Sequence, residues 1–177
     1  TGSKGLIGTE ITKHFRSSHK IYELDLQLGH DLTDELFVND WFSQNNANYL
    51  VNCFGMNDHI TKYDNDNKST KIKSNISNND IFNVSLISIN EYLNINVVAL
   101  FSVCREFAKN SKSSAIINFA STYAQVSPIP TMYSQGEKHI GYSVSKGAVL
   151  QLTRHLAVHL SSRNIRVNCV VPGGIEL

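Results

Sequence analysis

Hydrophobic and polar positions along this chain repeat with two periods, and the switches between them mark its elements. Ile7, Ile11, His14 and Phe15 recur at i, i+4, i+7 and i+8, the spacing of one helix face. Ile21, Tyr22, Leu24 and Leu26 predict a short strand that carries Asp25 near its end. Asp31-Leu32-Thr33-Asp34 reads as a loop and helix start, with Leu36, Phe37, Trp41 and Phe42 on the apolar face that follows. Tyr49 to Phe54 is a short apolar run of the kind buried inside a parallel sheet. From about Asp58 to Asn83, Asn, Asp, Lys and Ser dominate without period, which predicts a long solvated loop. A long helix is expected over roughly Leu86 to Lys109, then a buried strand at Ala115 to Phe119 and a loop over Pro128 to Gly141. A helix over 142–162 follows, with Val149, Leu152, Leu156 and Leu160 on one stripe. Ile165 to Val171 is the last strand, stopped by Pro172 and Gly173.

Alternation of this kind predicts an α/β fold in a single domain, residues 1–177, with a parallel sheet covered by helices on both faces. Ligands of such sheets bind beyond the carboxyl ends of the strands. Hydrophobic residues at 41% and charged residues at 18% suit a globular chain, and a net charge of +1 leaves no electrostatic footprint for nucleic acid or an anionic membrane. No stretch approaches the ~18 to 20 consecutive apolar residues of a membrane span, and no signal peptide opens the chain. Cys53, Cys104 and Cys169 are odd in number and unpatterned, so neither a disulfide framework nor a zinc site is expected, and a reducing cytoplasm fits. His155 and His159 alone have ligand spacing, and with no carboxylate or cysteine near them no metal site is expected; Lys68 to Lys73 reads as solvated loop. Residue 1 is already the Thr of a turn, and the end falls just after a strand. The chain is therefore expected to be an internal fragment lacking its first strand and its C-terminal segments.

Candidate chemistry sits at the element ends. Glycines at 2, 5 and 8 in Thr1-Gly2-Ser3-Lys4-Gly5-Leu6-Ile7-Gly8 let the backbone turn sharply and approach a diphosphate at a helix N-terminus. Asp25, at the next strand end, can accept from adenosine ribose hydroxyls and would repel a 2′-phosphate, which favours NAD over NADP. Tyr142-Ser143-Val144-Ser145-Lys146 sets a phenol and an ammonium one helical turn apart, where the cation favours an ionised phenol. Ser121, at the carboxyl end of a buried strand, can hydrogen-bond a substrate carbonyl beside that tyrosine. Asn96 falls inside a helix, an unfavoured place for it unless its amide is used.

In this order the glycine turn, Val51-Asn52-Cys53-Phe54-Gly55, Asn96, Ile116-Ile117-Asn118-Phe119-Ala120-Ser121, Tyr142 to Lys146 and Ile165 to Gly173 resemble the short-chain dehydrogenase/reductase family. The resemblance covers essentially the whole chain and is most specific from Asn96 onward. It implies a Rossmann-type, doubly wound sheet and hydride transfer between a nicotinamide and a carbonyl or alcohol carbon of a small molecule. The family's tetrad falls on Asn96, Ser121, Tyr142 and Lys146. By resemblance, Tyr142 exchanges the proton with the substrate oxygen and Ser121 fixes that oxygen. Lys146 binds the nicotinamide ribose and promotes ionisation of the phenol, while Asn96 holds a relay water. Cofactor contacts are implied for Gly2, Ser3, Lys4, Gly5, Leu6, Ile7, Gly8, Asp25, Asp31, Leu32, Asn52, Gly55, Tyr142, Lys146, Pro172, Gly173 and Ile175. A homodimer or homotetramer built on the two long helices is implied as well.

Departures from the family pattern refine the expectation. The glycines have the Gly-x-x-Gly-x-x-Gly spacing of the extended, sugar-nucleotide branch, and Asp25 to Asp31 is too short for the usual helix and strand. Asn52-Cys53-Phe54-Gly55 stands where the family has Asn-Asn-Ala-Gly. A lengthened loop with Tyr133 and Glu137 follows Ser121 and is expected over the substrate. Ser121-Thr122-Tyr123, Val126-Ser127-Pro128 and Pro172-Gly173-Gly174-Ile175 are similar to a subgroup of flagellin-modification or surface-polysaccharide oxidoreductases, which implies a sugar-derived substrate. The alternatives are an acyl-carrier-protein-type ketoacyl reductase, toward which Lys4 pulls, and a non-catalytic cofactor-binding relative, against which the intact tetrad speaks.

Overall fold

The computed structural model describes residues 1–57, 80–130 and 138–175. Its elements are α1 (Leu6–Phe15), α2 (Glu35–Gln44), β1 (Tyr49–Asn52), α3 (Leu86–Leu93), a π-helical segment (Asn94–Ala99), α4 (Leu100–Asn110), β2 (Ser114–Phe119), α5 (Ile140–His159) and β3 (Ile165–Val170). The sheet order is β1-β2-β3, all parallel, with Leu50 opposite Ile116 and Ile116 opposite Val167. This is the expected α/β arrangement. Ile116 is fully buried in the central strand, among Val103, Cys104, Phe107, Val149 and Ile165. Burial pushes the Cys104 thiol up to about 12, so it behaves as a small core hydrophobe.

Helix starts follow local capping chemistry. The Asp34 carboxylate accepts from the N–H groups of Leu36 and Phe37, and Ser85 Oγ accepts from Ile87 N. On α2 the buried positions are Val38 and Phe42, while Phe37 and Trp41 pack partly against them. Leu36, expected on the same face, is 82% exposed: it lies about 200° around the helix from Val38.

Across the sheet runs a chain of buried polar groups. Thr1 Oγ1 donates to Asn52 Oδ1 (2.9 Å), Asn52 Nδ2 to Asn118 Oδ1 (2.9 Å), and Asn118 Nδ2 to Thr153 Oγ1 (3.0 Å). Thr153 Oγ1 in turn donates to Val149 O. Each buried amide finds its partner, so the chain ties the glycine turn, β1, β2 and α5 together.

The expected strand at Ile21 to Leu26 is not part of the sheet. The segment forms no strand ladder, and Leu26–Leu28 closes as a 3-10 turn with Gly29 left-handed at φ 83. The reason is the lack of a neighbour. Between it and β1 lies a cavity of about 940 Å³, lined by Ile11, Phe15, Tyr22, Leu24, Leu50 and Phe107 among others. At its head hydrogen bonds cross it: Thr1 N donates to Val51 O, Cys53 N to Thr1 O, and Gly2 N and Ser3 N to Leu24 O. Without a bonded strand on either side, β propensity alone does not make a ladder.

The expected helix over Leu86 to Lys109 is present as one helical run, Leu86–Asn110, interrupted in register by the π segment. By length and composition this run is apolar enough to cross a membrane. Tyr92, Leu100, Val103 and Phe107 of this run are buried in the core, while Leu86, Ile87 and Val98 are exposed, and the buried Glu106 carboxylate pairs with Arg105 and Lys109. The helix expected over 142–162 starts earlier, at Ile140, and ends at His159, before a 3-10 turn at Ser161–Arg163. Of the polar stretch expected as a loop, residues 58–79 lie outside the described residues, as do 131–137 with Tyr133 and Glu137.

Candidate active site

The glycine turn is built by close approach. Gly2 has φ 65, and a Cβ there would lie 2.3 Å from Phe54 N; a Cβ on Gly8 would lie 2.0 Å from Gly2 O. Neither position admits a larger residue without moving backbone. Gly5 N donates to Gly2 O, and α1 then begins at Leu6 and Ile7 with no side chain capping its first turn. Its leading N–H groups and dipole face the turn. The Ser3 hydroxyl is buried with no hydrogen-bond partner.

Asp25 closes this turn from the far side. Its Oδ2 accepts from Lys4 N (2.9 Å) and its Oδ1 from Gln27 N (2.9 Å). The Lys4 ammonium turns away to Glu23 Oε2 at 2.6 Å, and Arg16 also pairs with Glu23. The Lys4 hydrogen bond first, with the charges of Lys4 and Arg16, holds the Glu23 carboxyl below its usual range. Asp31 spends Oδ1 on Thr33, accepting from both its N–H and its hydroxyl, which holds that carboxyl below its usual range too. Leu32 is buried in the core, and the Asn52 side chain is used up by Thr1, Asn118 and Cys104 beneath the sheet.

At the carboxyl ends of the strands a second group converges. Asn96, 3% exposed, lies in the π segment. Its Oδ1 accepts from Met56 N (2.6 Å), and its Nδ2 donates to Met56 O (3.2 Å) and Ser145 Oγ (2.9 Å). The wider turn swings its amide off the α-helical path, a common use of such bulges. Ser145 Oγ itself donates to Tyr142 O, so one hydroxyl links the asparagine to the tyrosine's turn of α5. A Cβ on Gly55 would lie 3.0 Å from Asn96 Oδ1 and 3.5 Å from Lys146 Nζ, so glycine keeps this junction open.

Lys146 Nζ donates to Phe119 O (2.9 Å) and lies 5.8 Å from the centre of the Tyr142 ring. Burial draws this lysine down to about 8, with Cys169 and Cys53 pulling weakly the other way. The Tyr142 ring also meets Tyr92 edge-on at 6.4 Å and the Lys138 ammonium at 4.1 Å. Ser121 follows β2 and accepts from Tyr123 N through Oγ (3.2 Å). Its loop is clipped to the end of β3: Ala120 N donates to Val170 O, and Thr122 N to Pro172 O. Gly173 passes the Thr122 methyl, and Ile175 is exposed beyond it.

Thus Asn96, Gly55, Lys146 and Tyr142 come together, with Ser121 on the adjoining strand end and the glycine turn beside Phe54. Sequence reading missed Met56, Ser145, Lys138 and His139. Ser145 had a signal, lying at i+3 from Tyr142. Among the described residues no His, Cys, Asp and Glu cluster suited to a metal is present.

A family profile described as enoyl-(acyl carrier protein) reductase matches residues 10–177. The chain belongs to the short-chain dehydrogenase/reductase family. This short-chain dehydrogenase/reductase is 35% identical over 99 residues to the uncharacterized oxidoreductase YgfF of Escherichia coli strain K12, covering 52% of this chain and 37% of that one. It is 32% identical over 87 residues to the 3-oxoacyl-acyl-carrier-protein reductase FabG of Chlamydia pneumoniae, covering 48% and 32%. These matches span about a third of the relatives' lengths. Among solved structures, 4-hydroxyisoleucine dehydrogenase complexed with NADH shares its fold, with a TM-score of 0.77 at 22% identity over 99% of this chain and 74% of that one. Other solved neighbours are complexed with NAD+ or with NADP.

Proposed function

We propose that this short-chain dehydrogenase/reductase is a nicotinamide-dependent oxidoreductase that interconverts a carbonyl and an alcohol on a small molecule. The observation that carries the reading is the junction at Gly55, where Asn96 and Lys146 meet beside Tyr142. The residues present fit a dinucleotide. The unpartnered Ser3 hydroxyl and the uncapped start of α1 supply donors for a diphosphate, and the buried Lys146 ammonium supplies one for a ribose hydroxyl. Bound there, the nicotinamide supplies or accepts the hydride. Tyr142 holds the proton exchanged with the substrate oxygen, and Lys146 stabilises the charge left on its phenol oxygen. Ser121 orients the substrate oxygen, and Asn96, fixed by Met56 and Ser145, keeps the floor of the site rigid.

The preferred cofactor in this reading is NAD. Asp25 sits where ribose hydroxyls would arrive, and Glu23 engages the Lys4 ammonium that would otherwise attract a 2′-phosphate. A sugar-derived substrate rests on the loop likenesses around Ser121 and Pro172. A homo-oligomer rests on the outward apolar residues Val98, Phe101, Val144 and Val158 of the long helices. The cavity beside β1 supports a further strand completing the sheet in the whole protein. Ketoacyl reduction is the second reading, favoured by the likeness to FabG.

The test is a fluorescence titration of the full-length protein with NADH and NADPH, alongside Asp25→Ala and Tyr142→Phe. Tighter NADH binding, with the preference lost in Asp25→Ala, is expected; tighter NADPH binding overturns the role of Asp25 and promotes ketoacyl reduction. Tyr142→Phe should bind cofactor normally and lose about 10²- to 10⁴-fold in turnover of any carbonyl the enzyme accepts. Normal turnover by that variant sinks the catalytic assignment, and a folded protein that binds neither cofactor is a non-catalytic relative.

A further inference from the structure

Lys138 is a lysine with 7% of its surface exposed, and the catalytic assignment has no use for it. Burying an ammonium is costly unless its partners are well placed, so its position asks for a cause. Its Nζ donates to Asn57 Oδ1, just beyond the Gly55 junction, and stands 4.1 Å from the centre of the Tyr142 ring. That is well within the range at which a cation is held by the quadrupole of an aromatic face.

The backbone that carries Lys138 is itself anchored. His139 caps α5, its Nδ1 accepting from Gly141 N (3.0 Å). Its Nε2 therefore carries the proton and donates to Ser88 Oγ (2.8 Å), and that hydroxyl donates on to Ser85 O (2.7 Å). The imidazole stacks on Tyr92 at 4.6 Å, and Tyr92 meets the Tyr142 ring edge-on. A Cβ on Gly141 would lie 2.9 Å from the Tyr92 ring, so α3 and the start of α5 are packed without slack. The Tyr142 ring thus has Lys138 on its face, Tyr92 at its edge and Lys146 a turn further along α5.

We infer that Lys138 is a positioning residue for Tyr142: held by Asn57 and the His139 cap, it seats the phenol ring in its reactive orientation. A second positive charge there also stabilises negative charge that develops on the phenol oxygen as its proton leaves. The inference rests on the catalytic assignment of Tyr142, and Arg should replace Lys138 where a neutral side chain of similar length does not.

The experiment labels the full-length protein with 3-fluorotyrosine and assigns the Tyr142 resonance in the ¹⁹F spectrum as the one lost in Tyr142→Phe. In Lys138→Met that resonance should move toward the unstructured position while the other tyrosine lines stay. In Lys138→Arg it should remain near its original place. NADH affinity serves as the folding control and should be unchanged in both. With NADH and 9,10-phenanthrenequinone as the carbonyl probe, Lys138→Met should lose about tenfold in kcat with little change in the KM for NADH, and Lys138→Arg should recover most of it. A Tyr142 resonance unmoved in Lys138→Met, or moved equally by Met and Arg, overturns the inference. The spectrum reads the ring without turnover, so failure of the catalytic assignment would show separately, as normal turnover by Tyr142→Phe.

Discussion

Lys146 is where burial and charge meet most directly. With its proton affinity drawn down to about 8 from the ordinary 10.5, the folded chain gives up that proton while the unfolded chain still holds it. Below about pH 8 both states carry the charge, and the full burial penalty, about 3 kcal/mol, weighs on the fold. Above that the unfolded state binds more protons, so stability should rise with pH until both states are neutral. Urea denaturation of the cofactor-free protein across this window, beside Lys146→Met, checks it. The rise should be smaller in the variant by this amount, and parallel curves would contradict the assignment. Asp25 shows the opposite economy at the same scale. Both its oxygens accept backbone N–H groups, so the carboxylate is rigid before any ligand arrives.

The glycine turn and the π segment divide the elements by how readily they are read. Gly2→Ala should disrupt the turn, because φ 65 and a Cβ contact of 2.3 Å with Phe54 N cannot be relieved by a rotamer. A loss of about 2 kcal/mol or more in stability, with NADH binding abolished, is expected from denaturation and fluorescence titration. That turn was legible from glycine spacing, as the Tyr142 and Lys146 pair was from the helical repeat. The π segment was not. One added residue in a helix leaves apolar residues on both sides of the bulge, so Asn96 reads as a polar residue in a helix interior. Asn52 fits the family pattern, yet its side chain serves a polar chain that only the three-dimensional pairing of β1 with β2 creates. In the sequence Lys138 is one of two adjacent charges before a helix, and only its three-dimensional contacts with Asn57 and the Tyr142 ring distinguish it.

At the scale of the whole molecule, the alternation of strand and helix was enough to predict a parallel sheet, and the described residues supply three strands of it. The strand expected at Ile21 to Leu26 failed for a non-local reason, since a strand exists only with a neighbour and periodicity carries no information about one. Of the residues lining the cavity of about 940 Å³ beside β1, Phe15 and Tyr49 are exposed apolar surface. Expressed as these 177 residues alone, the chain should bind a hydrophobic dye such as ANS and self-associate along the β1 edge. Dye fluorescence and size-exclusion chromatography test this, and a monodisperse, dye-negative chain would show that the cavity closes by rearrangement.

The clip between the Ser121 loop and the end of β3 also bears on the order of events in a catalytic cycle. Thr122 N holds Pro172 O, and Ala120 N holds Val170 O, so the serine that would meet the substrate shares a backbone with the segment that would meet the nicotinamide. A ligand that fixed Pro172 and Gly173 would through these two bonds fix Ser121 as well, and a second ligand would then meet a site already arranged. If the proposed activity holds, the dinucleotide would bind first and the substrate second, and the product would leave before the spent dinucleotide is released.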